Sequence, residues 1–570
     1  MNSKKTIAFA VFIAVFQLSY AQNLKPIVIQ NGITIEQIQE NGSDDRANNY
    51  APYPIIFVHG LNGSYETWET IQSDLSGKGY SFGGFLDYCL NYDGTSTTCN
   101  IYSTTNSDIA SYVGAPGHPF VNGDFYVVDF DLKRDGSPEN LGLLGVLSNQ
   151  SGVVKQGLAL SDAISKVLQI TGKEKVILMG HSLGGLAIRM YLQNEYIWQS
   201  DGQSHVAKIV TMGTPHGGSN LGLATMALIF GMDQQSEAIR DLRTSYYYSN
   251  NQGVLLYGGK ENLEYMDEFT LPFTYFYNAD VNCNGFVDEY LLGLNQFPEP
   301  KNINISFSIA EGSADLVVKD ENENLSIFWP NTPMEGFSTP ASYTKHLNMP
   351  DELDQCYMLL DEPDDYALSY SILKNNTYKG NFTLQGSGAP YPTVDYDDFK
   401  FTVTNSGSYS FEAWTLPLAN VDLNIVNSSE VILKTANSTS NNYVQTQMYL
   451  TPGTYFFELA GVPSYSSYIQ PYNFSITSLS DAIEPSNIVD ANISPNPTID
   501  DKTLISCQFV NAEQGNINIF DITGRNVFST KFEKSTDLKQ EIDLSGFAEG
   551  TYLVNLQYES GVKTFKIIKN

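Results

Sequence analysis

Basic residues are scarce in this 570-residue chain: 31 Lys and Arg stand against 63 Asp and Glu, a formal net charge of −32. That deficit argues against a nucleic-acid partner, because a phosphate backbone needs a basic face. Long apolar runs are missing beyond the N-terminus. The one run there, residues 7–18, follows Lys4 and Lys5 and leads to Ser19-Tyr20-Ala21 ahead of Gln22. It is too short to span a bilayer, so residues 1–21 read as a cleavable secretory signal, and no transmembrane segment is expected in the mature protein. Cysteine is sparse, with five in the chain. In an oxidising compartment Cys89 and Cys99 could close a short loop, and Cys283 and Cys356 could bridge if their Cα atoms come within reach; Cys507 is left over. Histidine is nearly as rare: six in all, of which only His205, His216 and His346 follow residue 182.

The length calls for two or three domains. From residue 53 to about 361, short β-branched or aromatic runs alternate with longer helical periods, as a parallel sheet covered by helices requires. Strands are predicted over 54–58, 125–130, 175–179, 208–212 and 303–310. Val154, Leu158, Ile164 and Leu168 predict an amphipathic helix over 153–170. Beyond about residue 366 the pattern turns to short alternating strands with turn signals such as Pro452-Gly453, and it changes again near Glu484. The expected fold is α/β, a mostly parallel sheet with helices on both faces over residues 22–364. Two small all-β sandwiches should follow, over 365–482 and 483–570.

Chemistry concentrates at Gly180-His181-Ser182-Leu183-Gly184, between an apolar strand and a helix-like segment. So tight a strand-to-helix turn strains the serine backbone and lifts its hydroxyl above the sheet edge, while the small flanking residues let the two elements pass closely. A serine needs a base, and an acid and then a histidine should follow in chain order. His205 lies in a polar loop and His216 comes too early to follow an acid, which leaves His346. The acid should end the preceding strand, and Glu311-Gly312-Ser313-Ala314-Asp315 turns off it. Asp315 is the expected partner of His346, with Glu311, Asp320 and Asp280 as competing carboxylates. Backbone amides of Leu183 and of Leu61, in His59-Gly60-Leu61-Asn62-Gly63, are the expected oxyanion donors.

Two further segments carry open alternatives. The insertion over 219–268 contains Leu221, Leu223, Met226, Leu228, Ile229 and Phe230, and reads as a mobile lid or as a helix packed on the body. Asp280, Asn282, Asn284, Phe286 and Asp288 alternate oxygen donors around Gly285. They read as a Ca²⁺ loop with a structural role or as an Asx-turn cluster, since residue 291 is Leu where an EF-hand needs Glu.

Val58-His59-Gly60-Leu61, Gly180-His181-Ser182-Leu183-Gly184-Gly185 and Gly213-Thr214-Pro215-His216-Gly217-Gly218 together resemble bacterial triacylglycerol lipases and the related inositol-deacylase-like hydrolases. The resemblance spans about residues 50–360 and implies ester hydrolysis through an acyl-enzyme with Ser182, Asp315 and His346 in the three roles, although such lipases usually show Asp-Gly where this chain has Asp315-Leu316. Asp397-Asp398-Phe399-Lys400-Phe401 and Leu450-Thr451-Pro452-Gly453-Thr454-Tyr455 resemble the pre-peptidase C-terminal β-sandwich. Pro495-Asn496-Pro497, Asp521-Ile522-Thr523-Gly524-Arg525 and Gly550-Thr551-Tyr552-Leu553 resemble the sorting domain read by the type IX secretion machinery, which implies export to the cell surface or beyond.

The function expected is a secreted serine carboxylester hydrolase acting on a lipid or other ester, a lipase first, with no cofactor needed for catalysis. The alternatives are a short-chain esterase or amidase on the same triad, and a non-catalytic surface-binding protein.

Overall fold

The computed structural model describes residues 27–28, 50–90, 109–132, 136, 150–219, 237–242, 294–311, 317–318, 320–340, 345–383, 394–415, 421–438, 442–461, 469–479, 488–499, 501–521, 526–558 and 561–569. The signal segment 1–21, Cys99, Cys283, the loop 280–288, Asp315 and most of the insertion 219–268 lie outside them.

The first sheet holds β1 (Ile27–Val28), β2 (Ile55–Val58), β3 (Phe82–Cys89), β4 (Ala110–Ser111), β5 (Phe125–Asp129), β6 (Val176–His181), β7 (Val206–Met212), β8 (Asn304–Glu311) and β9 (Glu335–Pro340). Its order is β1-β4-β3-β5-β2-β6-β7-β8-β9. From β3 through β9 every neighbouring pair is parallel, while β4 adds antiparallel to β3 and β1 to β4. The central strands β2, β5, β6 and β7 are buried along their whole length, as their unbroken apolar runs dictate for strands covered on both faces. After β2 the chain builds β3 and β5 on one side and then returns to place β6 on the other. Ligands bind at the carboxyl ends of strands beside such a switch point.

Helix α1 (Glu69–Gly77) follows β2, α2 (Val153–Thr171) precedes β6, and α3 (Leu183–Gln193) follows it. The α2 face carrying Val154, Leu158, Ala163, Ile164 and Val167 packs into the main core. Gly172, at φ 64°, closes that helix by returning its N–H to the Leu168 carbonyl. At the other end, Gly152 and Val153 donate to Glu237 Oε2 and Asp241 Oδ2 at 2.9 and 2.8 Å. Both carboxylates sit on α4 (Glu237–Leu242), where they meet the positive end of the α2 dipole, and Glu237 also pairs with Lys155 at 3.1 Å. Ser219 N–H bonds to the Leu242 carbonyl at 2.8 Å, so the two ends of residues 219–242 meet. The apolar run 221–230, on which the choice between lid and packed helix rests, lies outside the described residues.

Sequence periodicity missed β3, whose Gly83 and Gly84 interrupt the apolar pattern. Gly84 takes φ 114° at a register shift, and a Cβ there would lie 1.7 Å from the Pro119 carbonyl oxygen. Cys283, the possible partner of Cys356, lies outside the described residues. Cys356 is a free thiol buried in α8 (Leu353–Leu360), its Sγ 3.6 Å from the Pro350 carbonyl. Burial, reinforced by Asp351 and Glu352, pushes that thiol well above its ordinary range.

The sandwich pairs two sheets. One runs β10 (Tyr370–Ser371), β12 (Asp395–Val403), β17 (Gly453–Gly461), β14 (Val421–Asn427), β15 (Ile432–Asn437). The other runs β11 (Thr377–Thr383), β18 (Ile469–Ser478), β13 (Gly407–Thr415), β16 (Tyr443–Leu450). Phe399, Phe401, Phe411, Phe457 and Phe474 fill the space between them, with the Phe399 and Phe474 ring centroids 4.2 Å apart. The first sheet and most of this sandwich lie in one compact unit, while residues 407–409 and 478–570 form a second. The second unit is all β, with its own core around Ile505, Ile517, Ile519, Val554 and Ile567.

Candidate active site

Ser182 lies between β6 and α3 at φ 52° and ψ −125°, a backbone state that non-glycine residues avoid. The strain is held by packing. Ser182 N–H donates to the Met212 carbonyl on β7 at 2.8 Å. A Cβ on Gly184 would lie 2.4 Å from the Val58 carbonyl oxygen, and one on Gly60 2.8 Å from Ser182 Cβ. No side chain fits at either position, so the turn after β2 and the turn after β6 are pressed together. Gly60→Ala is expected to displace this turn and lower kcat by about 100-fold, the scale of one lost oxyanion donor. A variant with unchanged kcat on a small ester would show that the loop absorbs the methyl group.

The β2 turn is itself locked. Gly63 N–H bonds to the Gly60 carbonyl at 3.0 Å, with Asn62 at φ 55°, the positive-φ position of such a turn. His59 donates from Nδ1 to the same carbonyl at 2.8 Å and accepts the Phe130 N–H on Nε2 at 2.9 Å, so its two partners fix its tautomer. Leu61 sits in this turn, and Leu183 is the first residue of α3, where a helix leaves its N–H groups unpaired.

His346 lies on the short helix α7 (Lys345–Asn348) after β9, with Nε2 3.2 Å from Ser182 Oγ. His181 Nε2 donates to the His346 carbonyl at 2.7 Å, tying that helix to the serine turn. The structure thus unites two of the three residues that chain order nominated. Asp315 lies outside the described residues. The carboxylate seen at the other edge of His346 is Glu323, whose Oε1 stands 3.5 Å from Nδ1. It lies eight residues past the position chain order favoured, and no sequence signal marks it.

The two other histidines after Ser182 have different neighbours. His205 contacts Asp201 and the Glu174 carbonyl at the surface. His216 is fully buried and held well below its ordinary pKa by burial and by Arg189, so it stays neutral. Arg189 Nη1 faces its Nδ1 at 3.4 Å while the guanidinium stacks over Trp329.

Among the described residues, the carboxylates that could hold a metal ion are Asp361, Glu362 and Asp397, and Asp361, Asp364 and Asp395; in each set the ligand atoms lie within 4.8 Å of one another. They gather where the connector after α8 meets β12. Lys208 is buried beside them and donates to the Asp361 carbonyl at 2.6 Å. Desolvation comes first among the causes that raise these acids, followed for Asp395 and Asp397 by the neighbouring carboxylates; Glu362 is pushed up to about 7 and Asp395 to about 8. Asp397 is fully buried, and neither of its oxygens accepts a well-formed hydrogen bond, although the Tyr472 hydroxyl approaches. An all-oxygen set with an unsatisfied buried carboxylate suits a hard cation such as Ca²⁺. The calcium loop expected at 280–288 lies outside the described residues; the members of this second cluster are separated by about thirty residues in the chain, so no local motif marks it.

Residues 53–246 match the family described as alpha/beta hydrolase fold, and residues 492–570 match the secretion system C-terminal sorting domain. The chain is similar to the lipase BlEst2 of Bacillus licheniformis in propeptide form, at 14% identity and TM-score 0.27, covering 90% of this chain and 93% of that one. It is similar to the naproxen esterase of Bacillus subtilis at 15% identity and TM-score 0.26, covering 56% of this chain and 84% of that one. It is also similar to the pre-peptidase C-terminal domain of Bacillus anthracis collagenase, at 17% identity and TM-score 0.16, covering 20% of this chain and 99% of that domain. The sorting domain marks the chain for type IX secretion to the cell surface or the extracellular space. The protein has the α/β hydrolase fold in its parallel sheet, followed by C-terminal all-β sheets, the last of which match the secretion sorting domain.

Proposed function

We propose that the protein is a secreted serine carboxylester hydrolase acting on lipid or related esters, with Ser182 as nucleophile and His346 as general base. The observation that carries this reading is the 3.2 Å approach of His346 Nε2 to Ser182 Oγ across a strained strand-to-helix turn. In acylation, Oγ attacks the ester carbonyl carbon as its proton passes to Nε2. The amides of Leu61 and Leu183 receive the oxyanion. Nε2 then protonates the departing alkoxide as the C–O bond breaks, leaving an acyl-enzyme that water hydrolyses by the same route in reverse. A carboxylate at Nδ1, the role that chain order gives Asp315, fixes the imidazole and stabilises its cation.

Calcium, in this reading, is structural. Held by Asp361, Glu362, Asp364, Asp395 and Asp397, it would offset the mutual repulsion of acids that join the hydrolase to the sandwich.

The substrate class is tested with p-nitrophenyl esters of graded chain length beside matching anilides. Ester turnover should exceed anilide turnover by at least about 100-fold in kcat/KM, or about 2.7 kcal/mol in the barrier. Preferential anilide cleavage would reassign the enzyme as an amidase, and a short-chain optimum would make it an esterase.

A further inference from the structure

The serine–histidine pair accounts for one edge of the His346 ring. The opposite edge faces Glu323 Oε1 at 3.5 Å, and both side chains are removed from solvent, at 1% exposure for His346 and none for Glu323. A carboxylate in so dry a place is held by definite partners. Glu323 Oε2 accepts the Ala310 N–H on β8 at 2.6 Å. The short helix that carries it, α5 (Asp320–Glu323), is strapped to the loop after β7: Gly217 N–H bonds to the Asn322 carbonyl at 2.9 Å, and Asn322 Nδ2 bonds to the Gly218 carbonyl at 3.0 Å. Gly213 walls the ring on that side, since a Cβ there would lie 3.0 Å from His346 Nδ1. Backbone from β7, β8 and the glycine loop therefore aims the Glu323 carboxylate at Nδ1.

We propose that Glu323 is a positioning residue of the hydrolytic site, a buried carboxylate that acts on Nδ1 of His346. The proposal rests on the reading of Ser182 and His346 as nucleophile and base. Oε1 and Nδ1 stand 3.5 Å apart with no hydrogen bond formed between them in this structure, and closing that gap would hold the ring with Nε2 toward the serine. When Nε2 takes the serine proton, the new cation lies beside a fixed anion in a low-dielectric pocket. The separation is at the long end for a hydrogen bond, and such contacts tighten as charge develops in the reacting complex. The anchors described for Glu323 lie on β8 and on the glycine loop after β7, and the Asp315→Asn variant below reads any contribution of Asp315 separately.

Among the described residues, His181 is a second titratable ring facing His346, 5.2 Å away between centroids. It is common to all the variants below.

The test is steady-state hydrolysis of p-nitrophenyl butyrate by the full chain carrying Glu323→Gln, Glu323→Asp, Asp315→Asn or Ser182→Ala, across pH 5 to 9, with a melting curve for each. Glu323→Gln keeps the shape and the acceptor for Ala310 N–H but removes the charge. It should lower kcat/KM by about 100-fold or more. The acidic limb of the pH profile should also move to lower pH, because an imidazolium without its anion gives up its proton more readily. Glu323→Asp should recover part of both. A glutamate that only held the fold would alter the melt and leave the acidic limb in place. Should Glu323→Gln keep kcat/KM and the acidic limb within twofold of the unsubstituted protein, the proposal is overturned. If the Gln variant does not fold, the acidic limb of Glu323→Asp decides on the same criterion. Loss of turnover in Ser182→Ala, read in parallel, shows that the reaction runs through the serine, so an unaffected Glu323 variant then counts against Glu323 alone.

Discussion

Replacing Ser182 with alanine should lower ester hydrolysis by about a thousandfold or more while leaving the melting temperature unchanged or slightly raised. The loss follows from removing the hydroxyl proposed to form the acyl bond; what activity remains would come from the oxyanion amides and substrate binding alone. The unchanged or raised melt follows from the backbone. Ser182 sits at φ 52° because β6 and α3 must meet there, and the side chain contributes little to holding that turn, whose contacts run through Ser182 N–H and the flanking glycines. The measurements are kcat/KM on a soluble ester, labelling by a fluorophosphonate probe, and differential scanning calorimetry. Turnover at the unsubstituted rate in the alanine variant would remove Ser182 from the mechanism. A lowered melt would show that the hydroxyl is part of the scaffold.

The acids at the junction of hydrolase and sandwich predict a pH dependence with a definite sign. Glu362 is raised to about 7 and Asp395 to about 8, whereas in the unfolded chain such groups titrate near about 4. An acid whose folded pKa lies above its unfolded value binds its proton more tightly when folded. Its contribution to stability is fully present below about pH 4 and is lost as pH rises through about 7 to 8. Without divalent cations, the melting temperature of the chain should therefore fall across that window. Calcium reverses the sign of the effect, because it binds the ionised carboxylates of the folded protein. At calcium about 100-fold above its Kd, linkage gives about 2.7 kcal/mol, a rise of the order of 5 °C that should be largest near pH 8 and absent near pH 4. Scanning calorimetry with and without EDTA at pH 4, 6 and 8 reads this directly. Identical melts at pH 8 in calcium and in EDTA would show that no such ion is held, and a melt that climbs from pH 4 to pH 8 in EDTA would show that these acids are not raised.

The two chemical groups that the structure unites at 3.2 Å, Ser182 and His346, were both legible from chain order. The serine announced itself because a strand, a tight turn and a helix leave a local pattern. The histidine was found by elimination among three, the other two of which have other neighbours in the structure, one buried and neutral beside Arg189 and one on the surface. The helix after the serine begins at Leu183, because the turn takes no residue beyond Ser182 itself. Strand β3 was not legible, since Gly83 and Gly84 break the period on which a strand prediction depends. Cys356 looked like half of a bridge when only its identity was known, and its surroundings turned out to be a helix packed shut around a thiol.

What the sequence determined by itself was everything written in local periodicity and in the spacing of small residues: the parallel α/β layering, the change to all-β structure, and the serine turn with its flanking glycines. These are properties of segments a few residues to a few turns long, and the physical chemistry of one segment is enough to specify them. What only the tertiary structure decided was which carboxylates face one another and which face His346. Glu323 reaches the imidazole because β8 and the glycine loop hold its helix there, and Asp361 meets Asp395 and Asp397 because the sandwich closes over the connector. Electrostatic partners are set by distance and burial across the fold, and neither quantity is carried by the order of residues along the chain.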